Sequence, residues 1–99
     1  MSRRNKEFSL VATVSTNSGK LIRPVLEHLV GKRNIEVVSA NEFRIVATMK
    51  GENAKELNRA MLSELRRIEK KTRLRAEWTS DRTTERFFDY VLKKANLDS

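Results

Sequence analysis

Lys55, Arg59, Arg66 and Lys70 recur at helical spacing. With Leu57 set at zero and a rotation of about 100° per residue, they fall at roughly 160° to 220°, opposite an apolar stripe at roughly 0° to 80°. A basic ridge of this kind suits a polyphosphate backbone, because each neutralised phosphate releases condensed counterions and makes binding steeply salt-dependent. Lys71, Arg73 and Arg75 carry the charge past the helix, and Arg3 and Arg4 add to it from the N-terminal end. The whole chain of 99 residues has 21 Lys and Arg against 13 Asp and Glu, a net charge of +8. Thermophile-like surfaces are also dense in Lys, Arg and Glu, and Glu56, Glu64 and Glu69 can pair locally with their basic neighbours. The excess of +8 is more than balanced ion-pair networks need, which favours nucleic acid as partner over a merely solvated surface.

Other chemistry is thinly represented. Ser15 to Lys20, ending in Ser18-Gly19-Lys20, lies between a strand pattern and a helix pattern. It lacks the first glycine of a P-loop, and Leu21 stands where a Mg²⁺-binding hydroxyl is required. A weaker anion site remains open there, from backbone N–H groups at the helix start together with Lys20 and Arg23. The single histidine, His28, borders apolar helix positions and has no second histidine with which to hold a metal. The absence of Cys removes thiolate nucleophiles, zinc fingers and iron–sulfur clusters. We therefore expect no catalytic residues, no metal and no cofactor.

The elements that position these residues follow from periodicity. Phe8, Leu10, Ala12 and Val14 alternate with polar neighbours over Phe8 to Ser15, as in a half-buried strand. Lys20 to Val30 reads as a helix ended by Gly31, with Pro24 limiting its start or kinking it. Two strands over 34–40 and 43–50 read as a hairpin, Glu52 to Lys71 as an amphipathic helix, and Arg73 to Trp78 as a fourth strand with Leu74, Ala76 and Trp78 on one face. Asp81 reads as the cap of a final helix whose apolar side carries Phe87, Phe88, Val91, Leu92 and Ala95. The order βαββαβ plus a C-terminal helix predicts a ferredoxin-like α+β fold: a four-stranded antiparallel sheet with two helices on one face. Residues 1–6 are expected to form a flexible basic arm, and 7–99 one α+β domain. No apolar run reaches the roughly 20 residues of a membrane span, and no signal-peptide core follows the N-terminus, so a cytoplasmic protein without membrane contact is expected.

By alternation, the second sheet face carries Val11, Thr13, Arg44, Val46, Thr48, Arg73 and Arg75. The last helix would cover it, or a second copy would dock on Val11 and Val46. An RNA-recognition motif places stacking aromatics on this face in its first and third strands. Phe8 and Phe43 share the opposite register, so contact mainly to phosphates and shape is expected, which suits structured RNA or tRNA better than DNA.

The stretch Leu57 to Ile68, with Leu57, Ser63, Leu65, Arg66 and Ile68 in place, resembles the second helix of the small dimerising subunit of the KEOPS tRNA-modification complex. The β-α-β-β-α order of residues 8–70 agrees. Asn58 and Leu62 depart from the pattern, where that family favours Arg and Asn. The resemblance implies a noncatalytic subunit that dimerises and helps a partner enzyme install threonylcarbamoyl on tRNA adenosine. Three function classes are thus carried forward: a noncatalytic basic RNA-binding module or subunit of an RNA-processing assembly, a homodimeric protein-interaction subunit, and a small anion-binding enzyme.

Overall fold

A computed structural model describes residues 6–93. Its elements are β1 (Lys6–Ser15), α1 (Gly19–Val30), a 3-10 turn (Lys32–Asn34), β2 (Ile35–Ser39), β3 (Glu42–Gly51), α2 (Ala54–Ile68), β4 (Arg73–Ser80), β5 (Thr83–Phe88) and β6 (Val91–Lys93). The class is α+β. One antiparallel sheet of six strands runs β2-β3-β1-β4-β5-β6, in place of the four strands expected.

Strict alternation in β1 sorts Phe8, Leu10, Ala12 and Val14 into the core and leaves Ser9, Val11 and Ser15 exposed. The same parity buries Phe43 and Ile45 of β3 and Leu74, Ala76 and Trp78 of β4. Both helices cover this face, α1 through Ile22 and Leu26, α2 through Met61, Leu62 and Leu65. Trp78 meets the ring of Phe8 edge-on, with centroids 6.5 Å apart, a favoured arrangement of the two quadrupoles. Neither helix is long and apolar enough to cross a membrane.

The expected C-terminal helix is replaced by strands β5 and β6. Thr83, Thr84, Phe87, Phe88 and Val91 are β-branched or aromatic and fit a pleated, half-buried surface better than a helix. Two two-residue turns close the hairpins, with Ser80 paired to Thr83 and Phe88 to Val91. Asp81 and Asp89 open these turns, each at φ 58°, in the left-handed region that Asp tolerates. Asp81 is thus a turn residue and caps no helix. Lys6 already pairs with Gly51, so the sheet takes in the last residue of the expected arm, while Arg3, Arg4 and Ala95 lie outside the described residues.

Helix α2 also differs from its apolar stripe. Asn53 is the N-cap, its side chain accepting a bond from the Glu56 N–H at 2.8 Å, so the helix starts after Glu52 and ends before Lys70. Its buried residues are Ala54, Asn58, Met61, Leu62 and Leu65, while Leu57 is half-buried and Ile68 is exposed. On the wheel used above these centre near 85°, so the buried arc is turned by about 45° from the apolar stripe. Leu62 and Asn58, at about 140° and about 100° on that wheel, account for the shift, and the polar one of the two is Asn58. Its Oδ1 accepts from Trp78 Nε1–H at 3.1 Å and its Nδ2–H donates to the Asp89 carbonyl at 2.8 Å, which satisfies a buried amide on both sides.

Candidate nucleic-acid interface

The rotation of α2 breaks up the expected ridge. Arg66 is drawn toward the sheet, where its Nε–H donates to the Thr72 carbonyl at 2.9 Å and its Nη2 lies 3.5 Å from Asp89 Oδ1. Its guanidinium also stands 5.4 Å from the centroid of the Tyr90 ring. Arg66 is a bracket between α2, the turn before β4 and the β5–β6 turn, and its donors are not directed at an external phosphate. Lys70 and Lys71 sit in that turn, exposed, beyond the end of α2. Lys55 and Arg59 are exposed on the helix and border a shallow recess with Asn58, Ser63 and Tyr90. Arg73 and Arg75 project from the other side of the sheet, so the charge of the helix does not run on into β4 as the sequence suggested.

At the start of α1, where Lys20 and Arg23 were expected to offer an anion site, two of the groups have partners within the chain. The Gly19 N–H donates to Asn41 Oδ1 at 3.0 Å, and Arg23 pairs with Glu27 at 3.3 Å. A Cβ at Gly19 would overlap the carbonyl oxygen of Ala40, because the β2–β3 turn packs on this end of α1. Asn41 thus takes one of the N–H groups that an anion at this helix start would use. Among the described residues no cluster of His, Asp and Glu has metal-site geometry.

The face of the sheet away from the helices is covered by no described element. Cross-strand register sets its rows. Thr48, Ser9, Thr79 and Thr84 form a row of hydroxyls across four strands. Val46, Val11, Glu77, Arg86 and Lys93 form the next, and Arg44, Thr13, Arg75, Phe88 and Val91 the one after. Val11 and Val46, the expected dimer face, are direct partners here and are 43% and 57% exposed. Arg73 pairs with Asp89 at 3.1 Å and Arg86 with Glu77 at 2.9 Å. Among the described residues, Arg44, Arg75 and Lys93 have no carboxylate partner within ion-pair distance, so their charge is free for an outside ligand.

Phe88 is the residue that sequence reasoning misplaced. It is 45% exposed and faces outward, with the Arg75 guanidinium 5.4 Å and the Lys93 ammonium 5.7 Å from its ring centroid. Two depressions adjoin it, of about 490 and about 310 Å³, and both are lined by Thr13, Arg75 and Phe88. The pattern Phe87-Phe88 gives one inward and one outward ring in a strand, and it is the strand assignment that the helical reading lacked.

Asp89 holds this corner in place. Its Oδ1 accepts from the Leu74 N–H at 2.9 Å, its own N–H donates to the Leu74 carbonyl, and its carboxylate meets both Arg66 and Arg73. The turn after Phe88 is thereby tied to β4 and α2. No protein-family model, no curated protein and no solved structure matches this chain.

Proposed function

We propose that this chain is a noncatalytic basic module that binds RNA, alone or as a subunit of an RNA-processing assembly, and that the uncovered sheet face is its contact surface. The observation that carries the reading is the set of cations on that face without a carboxylate partner among the described residues, Arg44, Arg75 and Lys93, with an exposed aromatic ring between two of them and a row of hydroxyls further along the same face. Cations supply affinity for phosphate, hydroxyls supply neutral donors and acceptors, and the ring supplies a stacking surface. The β2-β3-β1-β4 portion, with both helices on its other side, is in this reading a ferredoxin-like core widened by the β5–β6 hairpin. A cytoplasmic setting goes with an RNA partner. A tRNA-modification assembly is its narrower version, supported only by the resemblance of residues 57–68.

The RNA reading is tested by fluorescence anisotropy of labelled tRNA and single-stranded RNA over a range of salt. Binding with a steep negative salt slope is expected, and no binding at low salt refutes it.

Homodimerisation through Val11 and Val46 is the second reading, favoured by their direct pairing on the exposed face. Even with Phe88 and Val91, exposed in the next row, the two valines make a small apolar patch beside the roughly 1,200–2,000 Å² that a stable interface buries. The surrounding rows are largely polar or charged, and an identical copy would bring Arg44 and Arg75 toward a second basic face. Charge thus weighs against a second copy and for a polyanion.

A further inference from the structure

Phe88 gives the proposed RNA surface a finer specificity than charge alone provides. We infer that the Phe88 corner is a binding site for an unpaired nucleobase, so that the face takes single-stranded or looped RNA in preference to duplex; this rests on the RNA reading above. Phe88 lies on β5, and its two cations come from β4 and β6 on either side. Neighbouring strands are roughly 4.8 Å apart, so Arg75 and Lys93 bracket the ring within reach of the phosphates on both sides of a base stacked there. Both are long, exposed side chains without carboxylate partners among the described residues, and either can move from the ring to a phosphate.

The relief of the face agrees with this occupant. Phe88 and Arg75 stand between the two depressions, which leaves room for the neighbouring nucleotides on each side of the stacked one. Thr13 borders both depressions and offers a hydroxyl to either neighbour. Two carboxylates line the larger one: Asp89 is already engaged by Arg73, Arg66 and the Leu74 N–H, which lowers its repulsion toward phosphate, and Glu42 lies on β3, three strands from Phe88. A base inside a duplex has both faces stacked on its neighbours and cannot meet the ring, whereas an unpaired base offers a free π-face. The ring is also preset. Asp89, the next residue, is fixed to β4 by two backbone-directed bonds, so little ordering of this turn remains to be done on binding.

The test compares a labelled single-stranded RNA with the same strand annealed to its complement, against wild type, Phe88→Ala and Phe88→Tyr. Wild type is expected to bind the single strand at least about tenfold more tightly. Phe88→Ala is expected to weaken single-strand binding by about 5- to 140-fold, the span for losing one base–aromatic stack, and Phe88→Tyr to restore it to within about twofold. Phe88 is half exposed, and an unchanged circular dichroism melt verifies that the variants fold. Duplex bound as tightly as single strand by wild type overturns the inference whatever the variants do. Single-strand affinity equal in wild type and Phe88→Ala, with the salt dependence intact, overturns the base site and leaves the RNA reading standing. No RNA binding at low salt overturns both.

Discussion

Arg66→Ala separates a structural bracket from a phosphate ligand at the residue where the two roles differ most. The substitution removes a charged hydrogen bond to the Thr72 carbonyl, worth about 1.5–3 kcal/mol. It also removes the 3.5 Å pair with Asp89, whose side chains are 29% and 22% exposed. Solvent still screens that pair, so about 0.5–1 kcal/mol is a fair share. The guanidinium over the Tyr90 ring contributes about 0.5 kcal/mol more at such a site. These terms share one side chain and overlap, so the expected loss is about 2–4 kcal/mol. For a domain of this size that corresponds to a drop in Tm of about 10–25 °C. Arg66→Lys keeps a positive charge near Asp89 but loses the Nε–H, and it should recover less than half of the loss. Trp78 is the single tryptophan and is 1% exposed, so urea denaturation followed by its fluorescence reads core integrity directly. Arg73 and the Leu74 N–H still hold Asp89 and the corner beside it, so RNA affinity of the folded Arg66→Ala protein should stay within about twofold of wild type. A loss of stability below about 0.5 kcal/mol, with RNA affinity falling tenfold, would refute the bracket and return Arg66 to a phosphate-binding ridge.

Asn58→Ala should destabilise by about 2–4 kcal/mol in the same denaturation assay, because it leaves the buried Trp78 N–H without its acceptor and the half-buried Asp89 carbonyl without that donor. A loss under 1 kcal/mol would mean that another group or a water takes over both bonds. Val46→Asp places a carboxylate next to Arg44 on the uncovered face. It should cost less than about 1 kcal/mol in a strand position 57% exposed, weaken RNA binding several-fold and leave the sedimentation coefficient unchanged. A wild-type dimer that dissociates in this variant would instead support the homodimer.

The central strands were legible because one buried face imposes a period of two, and Phe8, Leu10, Ala12 and Val14 display it without interruption. The same parity turns Arg44, Arg73 and Arg75 outward from pattern alone. Phe87, Phe88, Val91 and Leu92 misled because these spacings satisfy a helical stripe as well as two strands joined by a two-residue turn. The available signal was Asp81-Arg82 and Asp89-Tyr90, short polar breaks between runs rich in Thr and Phe. The role of Asn58 had no local signal, since it depends on Trp78 and Asp89, 20 and 31 residues away. A buried arc that is turned by about 45° shifts every exposed neighbour with it. For that reason Arg66, opposite the apolar stripe in the sequence, ends half-buried against the β5–β6 turn.

The placement of RNA on the sheet face is tested most directly by comparing two double variants at several salt concentrations, Arg44→Ala/Arg75→Ala on the sheet and Lys55→Ala/Arg59→Ala on α2, by anisotropy of a labelled single-stranded RNA. Removing one cation that neutralises a phosphate lowers the slope of log affinity against log salt by about 0.7 for a single strand. The sheet variant should therefore bind more weakly and its slope should fall by about 1.4, while the helix variant should match wild type. A helix variant with reduced affinity and slope beside an unaffected sheet variant would contradict this placement.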